Sequence, residues 1–290
     1  MSHISVMLEP ALEYLAIRPD GIYVDATFGA GGHTAAMLQR ISGGRVIALD
    51  ADPGAAERAA QIAHPRLTFV NANFRELSRV LSGLNIPSVD GVLFDLGVSS
   101  MQVDEAQRGF SFSKSAPLDM RMNPYEGRSA YDVLATASET ELADIFFHFG
   151  EERAARRIAR AVVDRRNSGR LPETTTEFAQ MVAGVVHRPG HRERVHPATR
   201  VFQALRIAVN DELGALKGGL NAATGALHEA GRIVAISFHS LEDRIVKQTF
   251  RDDERLQVLT KKPIGPSDDE IGENPRARSA KLRAAQRKAS

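Results

Sequence analysis

The sequence predicts an α/β fold: a parallel sheet with helices on both faces, interrupted by an inserted, mostly helical domain. Short apolar runs alternate with helical patterns up to about residue 100, the alternation stops between residues 108 and 199, and it resumes at an apolar run near residue 233. Four strands are expected first. Ile22-Tyr23-Val24-Asp25 follows the turn Pro19-Asp20-Gly21, and Arg45-Val46-Ile47-Ala48-Leu49-Asp50 follows Gly43-Gly44. Leu67-Thr68-Phe69-Val70 follows His64-Pro65, and Val92-Leu93-Phe94-Asp95 follows Asp90-Gly91. Three of the four end in Asp. Between them, residues 34–41 and 53–62 read as helices, Pro53 suiting a first helical turn. In the insertion, helical segments such as 139–149 and 151–166 dominate. A long helix near 201–228 then leads through the turn Ala230-Gly231 to a buried strand, Ile233-Val234-Ala235-Ile236. Pro263, Gly265, Pro266 and the acidic run Asp268-Asp269-Glu270 mark a loop ahead of a basic tail. The expected domains are residues 1–107 with 201–290, and residues 108–200.

Composition narrows the class. Among 290 residues, 43% are hydrophobic and 25% charged, the balance of an ordinary globular chain. A mean hydropathy of -0.23, no run of eighteen apolar residues and no secretory signal at Met1-Ser2-His3-Ile4-Ser5 predict a soluble, cytoplasmic protein. Cys is absent, which removes disulfides, thiolate-zinc sites and cysteine nucleophiles. The net charge of +1 hides a segregation, since residues 274–290 carry +6 and the rest -5. Residues 151–170 hold seven Arg against three acids, and residues 187–206 five Arg against one Glu. Arg153, Arg157 and Arg160 recur at helical spacing opposite Ile158 and Val162. With the tail, three basic clusters on an otherwise acidic chain point to phosphate contact.

Chemistry concentrates after the strands. Val24-Asp25-Ala26-Thr27-Phe28-Gly29-Ala30-Gly31-Gly32-His33 runs from a strand through a glycine-rich turn into a helix, a place where a ligand can approach the backbone closely. Alone it is equally a tight turn. Asp50 ends the next strand 21 residues after Gly29, the place of an acid that grips ribose hydroxyls. Capping the helix at Pro53 falls rather to Asp52. Thr34 stands where a nicotinamide fingerprint wants a third small residue, and a small-molecule dehydrogenase has no use for basic clusters. Asp95, at the carboxyl edge beside the glycine turn, is placed to accept hydrogen bonds from a substrate amine, with Gly97 leaving the backbone open. His239 reads as structural, and Glu242, Asp243, Arg244 and Lys247 as pairs along one helix.

A series of blocks in fixed order covers nearly the whole chain. It comprises residues 21–34, Leu49-Asp50-Ala51-Asp52-Pro53, residues 90–100 with Gln102 and Asp104, and Arg108-Gly109-Phe110-Ser111-Phe112. Pro117-Leu118-Asp119-Met120-Arg121-Met122, Gly150-Glu151-Glu152-Arg153 and His196-Pro197-Ala198-Thr199-Arg200 follow. Residues 237–244 and Asn274-Pro275-Arg276-Ala277-Arg278-Ser279 close it. In these blocks the chain resembles the bacterial S-adenosylmethionine-dependent methyltransferases that modify the exocyclic N4 of a cytosine in small-subunit ribosomal RNA.

The resemblance implies a Rossmann-like class I methyltransferase core, an insertion serving substrate recognition, and no metal. It implies cofactor contacts at Gly31, Gly32, His33, Asp50, Phe74, Asp95 and Gln102. From the residues alone Phe74 reads as a core aromatic and Gln102 as a surface loop residue. One departure stands out: Asp95 leads into Leu96-Gly97-Val98-Ser99-Ser100, without the base-stacking aromatic that many amino-methyltransferases carry there. Phe110 or Phe112 either stacks on the base or packs the insertion onto the core. Methylation at cytosine C5 commonly needs a cysteine, so its absence favours an amine target, with Asp95 as the acceptor of the amine's hydrogens. RNA and cytosine come from the resemblance alone. Amino-methylation of a DNA base and a noncatalytic RNA-binding protein on the same scaffold are the alternatives, and the partner is the small-subunit RNA or the subunit itself.

Overall fold

The computed structural model describes residues 5–187 and 196–289. Seven strands form one sheet: β1 (Ile22–Asp25), β2 (Arg45–Asp50), β3 (Leu67–Asn71), β4 (Val89–Asp95), β5 (Leu227–Ser237), β6 (Leu256–Val258) and β7 (Lys281–Arg287). The helices, in chain order, are α1 (Leu8–Leu15), α2 (Gly32–Arg40), α3 (Ala55–Ile62), α4 (Leu77–Gly83), α5 (Ser100–Asp104), α6 (Ala130–Thr136), α7 (Glu139–His148), α8 (Ala155–Asn167), α9 (Thr175–Val186), α10 (Ala198–Asn210), α11 (Glu212–Ala226), α12 (Ser240–Asp252) and α13 (Asp268–Glu273).

The sheet runs β3-β2-β1-β4-β5-β7-β6, with β1 to β5 parallel and β7 antiparallel to both neighbours. Side chains alternate between its faces with period two, and both faces are apolar because both are covered. Val24, Ile47, Leu49, Val92, Phe94, Ile233 and Ala235 pack in one cluster with residues of α4, α11 and α12. Their neighbours Tyr23, Val46, Leu93, Val234 and Ile236 pack in the other with α1 and α2. The chain is therefore the doubly wound α/β fold that its strand pattern predicts.

Two compact units divide the chain. One joins Met1–Ser99 to Leu213–Ser290, and the other is Ser100–Glu212. The sequence puts these boundaries at 107/108 and 200/201. The structure extends the second unit at both ends, at the C-terminal end because α10 contributes Val201, Phe202, Ala204 and Leu205 to that unit's own core. This core also holds Phe146, Ile158, Val162 and Phe178, all at 0% exposure. Capping boxes start three of its helices: Ser129 with Asp132, Ser138 with Glu141, and Thr174 with Glu177.

Two further expectations are corrected. The long helix at 201–228 is broken at Asp211, whose φ of 46° no helix continues, and β5 begins already at Leu227. The basic tail is not a tail. Residues 281–287 form β7 between β5 and β6, with Leu282, Ala284 and Ala285 at 0% exposure, and residues 268–273 form a short helix. A strand carrying so many long cations reads as a charge run until its partners are known. Among the described residues, no helix is long and apolar enough to cross a membrane.

Candidate active site

β1 has β2 on one side and β4 on the other, so the chain reverses direction across the sheet here, and a crevice opens beyond the strands' carboxyl ends. The glycine turn crosses it. Gly31, at φ 84°, caps α2, and a Cβ there would lie 2.8 Å from the Phe28 ring. Gly32 opens the helix with Ser5 packed against it, so that a Cβ would collide with the Ser5 hydroxyl. The free amides of a helix N-terminus favour an anion such as a ligand carboxylate.

Asp50 closes β2 and braces the turn, since its Oδ2 accepts from the Gly29 amide at 2.7 Å and its Oδ1 from the Asp52 amide at 2.8 Å. Burial pushes its carboxyl above the usual range, against the pull of these two amides. Arg58 holds the far side, donating to the Gly29 carbonyl at 2.8 Å. Asp52, expected to cap the following helix, accepts from the Gly54 amide at 2.9 Å just ahead of α3.

Asp95 closes β4. Its amide donates to Thr27 Oγ1 at 2.7 Å, its Oδ2 lies 3.6 Å from His33 Nδ1, and its buried Oδ1 has no hydrogen-bond partner among the described residues. Burial, then the nearby charges of Asp25 and Glu242, raise its pKa well above that of an ordinary carboxylate. His33, 5% exposed, places Nε2 at 3.1 Å from the Val6 carbonyl. If Nε2 carries the proton, the Nδ1 lone pair faces Asp95.

Three contributors were not singled out from the residues. Asp25 is fully buried at the end of β1, accepting from Thr34 Oγ1 at 2.7 Å and the Thr27 amide at 3.2 Å, and burial raises its pKa to about 6. Thr34, the residue that spoils the nicotinamide fingerprint, is thus bonded to a strand-end acid. The third is Glu242, 3% exposed, whose Oε2 accepts from the amides of Phe238 at 2.8 Å and His239 at 3.3 Å. The ending of three strands in Asp was the signal for Asp25; nothing in the spacing marked Glu242.

His239 forms a capping box with Glu242 at the start of α12, but its buried Nε2 has no hydrogen-bond partner among the described residues, so it is not a fully satisfied structural histidine. Its Nε2 approaches Glu242 Oε1 to 3.2 Å without hydrogen-bond geometry. The expected pairing along α12 gives way to longer reach: Asp243 binds Arg283 at 2.6 Å and Lys281 at 3.6 Å, both on β7.

Phe74 follows β3 and packs edge-on against Phe94, 5.6 Å between centroids, and against Gly219. Gln102 lies in α5 of the second unit and is 5% exposed, not a surface residue. Phe112 packs at 4.8 Å from both Phe202 and His196, while Phe110 lies beneath the Arg108 guanidinium at 5.8 Å.

The basic clusters are unequal. In the last, Arg283 and Lys281 are bound by Asp243, Arg287 donates to the Thr224 carbonyl at 2.6 Å and Lys288 to the Glu254 carbonyl at 2.8 Å, so at least four of its six cations fasten the fold around β7. In the second, Arg188, Arg192 and Arg194 lie outside the described residues, and Arg206 is bound to Glu212 at 2.7 Å. In the first, Arg166 caps α6 by donating to the Ala137 carbonyl at 2.7 Å, while Arg153, Arg156, Arg157 and Arg160 are exposed.

The sequence profile of the MraW methylase family matches residues 1–288. A protein of Methylobacterium nodulans named ribosomal RNA small subunit methyltransferase H is 49% identical, over 98% of this chain and 90% of its own length. Proteins of the same name from Heliobacterium modesticaldum and Deinococcus radiodurans are each 48% identical, over 98% and 100% of this chain and 98% and 91% of their own.

Proposed function

Since the chain belongs to the MraW methylase family, we propose that it transfers the methyl group of S-adenosylmethionine to the exocyclic N4 amine of a cytosine in small-subunit ribosomal RNA. It is an S-adenosylmethionine-dependent methyltransferase. The observation that carries the chemical half of this reading is the buried, unpartnered Oδ1 of Asp95 at the switch point of the sheet. An orphaned acceptor is expensive in a scaffold and is expected where a ligand completes the site.

The residues fit the donor. Asp25, Asp95 and Glu242 crowd acidic groups at one edge, a setting that favours a ligand bearing ammonium and sulfonium charges. Asp50 is the acceptor for ribose hydroxyls, Gly31, whose own amide donates to the Phe28 carbonyl at 2.7 Å, lets the ligand's carboxylate approach the start of α2 at Gly32 and His33, and Phe74 lies along the adenine. Gln102 is a further contact by the family pattern. When bound, S-adenosylmethionine supplies a methyl group already activated by its sulfonium.

The chain's own work is proton acceptance and alignment. The exocyclic nitrogen of cytosine is a poor nucleophile because its lone pair is delocalised into the ring. Asp95 accepts a hydrogen bond from this amine and then the proton it loses on becoming a secondary amine. The raised pKa makes that carboxylate a stronger base than one in water. Alignment supplies the rest, as held reactants can reach effective molarities of roughly 10⁵ M or more. The target base must leave any stack to reach the crevice, a task for the 100–212 unit. Cytoplasmic residence and recognition of the RNA or the assembled subunit belong to the same proposal.

Mass spectrometry of ribosomal RNA nucleosides from cells lacking this protein should show one N4-methylated cytidine missing and restored by the wild-type chain. An unchanged nucleoside profile overturns the assignment.

A further inference from the structure

The helical unit carries a basic face on α7 and α8 outside the crevice described above. α7 and α8 pack side by side, and two contacts set their register. At one end the Glu152 amide donates to the Phe146 carbonyl at 3.1 Å; at the other, Arg160 Nε lies 3.5 Å from Glu139. The inward side is apolar: Leu142 and Phe146 on one helix, Ile158 and Val162 on the other.

The outward side is divided by chemistry. Arg153, just ahead of α8, and Arg156, Arg157 and Arg160 along its start are all exposed, and the first three have no carboxylate partner among the described residues. Of the solvent-accessible acids near these arginines, Glu139, Glu141 and Asp144 come from α7, Glu151 lies between the two helices, and Asp164 ends the arginine run. At the end of α7, Phe147 is 55% exposed, its ring edge-on to that of the exposed His148 at 5.1 Å. The Phe146–Glu152 bond brings the backbone just before this aromatic pair against the backbone just before Arg153. A large aromatic left in water at the end of α7, with exposed arginines following on the chain, has little structural purpose, and both features suit one kind of ligand.

We infer that this face is a single-stranded RNA platform, on which phosphates of the substrate strand follow the arginines of α8 while one unpaired base stacks on Phe147. The inference rests on the ribosomal RNA reading and deepens it. Polyanion and stacked base are the two halves of single-strand recognition; a continuous duplex offers the first without the second.

The test is fluorescence anisotropy of the full chain with a labelled twelve-nucleotide oligouridylate, titrated at several salt concentrations. Phe147→Ala should weaken binding roughly 5- to 150-fold with the salt slope unchanged, and Phe147→Trp should restore it. The triple variant R153Q/R156Q/R157Q should lower the slope of log K against log salt by about two, at roughly 0.7 for each phosphate no longer neutralised. Both should keep the melting temperature and the calorimetric uptake of S-adenosylmethionine. Wild-type affinity in Phe147→Ala, or an unchanged slope in the triple variant, overturns the platform. So does unchanged oligouridylate binding with loss of binding to the assembled subunit, which assigns the face to a ribosomal protein. Uptake of S-adenosylmethionine by the wild-type chain separates the two readings. Uptake with a silent Phe147→Ala overturns the platform alone, and no uptake overturns the enzyme assignment itself.

Discussion

Carboxylates at the carboxyl edge of the sheet and carboxylates in the helical unit behave in opposite ways. Asp25, Asp50 and Asp95 all have raised pKa values, chiefly because burial is not matched by a cationic partner. In the helical unit, Asp119 is also pushed up by burial, but its bonds to Arg121 at 2.7 and 2.9 Å outweigh this and lower it. Asp132, Glu141 and Glu177 are lowered by the serine and threonine capping groups they bind. An acid with partners is a fastener. An acid at the sheet edge whose burial outweighs its partners is more basic and open to a ligand, at a cost in stability.

The largest expected effect tests that contrast at Asp95. Asp95→Asn keeps shape and removes the base, so single-turnover methylation of small-subunit RNA should fall roughly 10²- to 10⁴-fold while the melting temperature does not fall. Near-native turnover removes Asp95 from the chemistry. Asp25 tests the stability cost. Its folded pKa of about 6 lies above the unfolded value near 4, so the folded state binds the proton more tightly and stability falls as pH rises from about 4 through about 6. Asp25→Asn should abolish that fall and, after losing the Thr27 amide bond, stabilise the chain at pH 7.5 by about 1–2 kcal/mol in denaturant unfolding. An unchanged pH dependence contradicts the burial account.

Asp119 should show the reverse sign, being a depressed acid whose contribution is present above the unfolded pKa and lost as pH falls through the folded one. Asp119→Asn should cost about 1 kcal/mol at pH 7 and progressively less in acid, followed by amide hydrogen exchange in α6. The smallest effect belongs to a cap. Ser129→Ala should cost about 1 kcal/mol or less, with no change in S-adenosylmethionine uptake. Altered cofactor affinity in that variant would show that the start of α6 and the cofactor crevice are energetically coupled.

Legibility followed the range of the interactions. β1 to β4, the glycine turn and the strand-end acids Asp50 and Asp95 could be read directly, because period-two apolar runs, punctuating glycines and strand termini are local signals. Gly31, Gly32 and His33 are where the turn predicted them, but the Val6 carbonyl that holds the His33 ring is remote in sequence. Phe74 and Gln102 came only through family resemblance, since a core aromatic and a polar helix residue have no distinguishing spacing.

The amino-acid order alone determined the doubly wound sheet, the interrupted chain and the chemistry available without cysteine, all consequences of periodicity and residue type. Only tertiary structure decided that the basic end is strand β7, that Arg283 serves Asp243, that Asp211 breaks a helix, and that Thr34 serves Asp25. Each depends on which distant group arrives within hydrogen-bond reach. Whether a charge fastens the fold or faces a ligand is set by that partner, which no local pattern encodes.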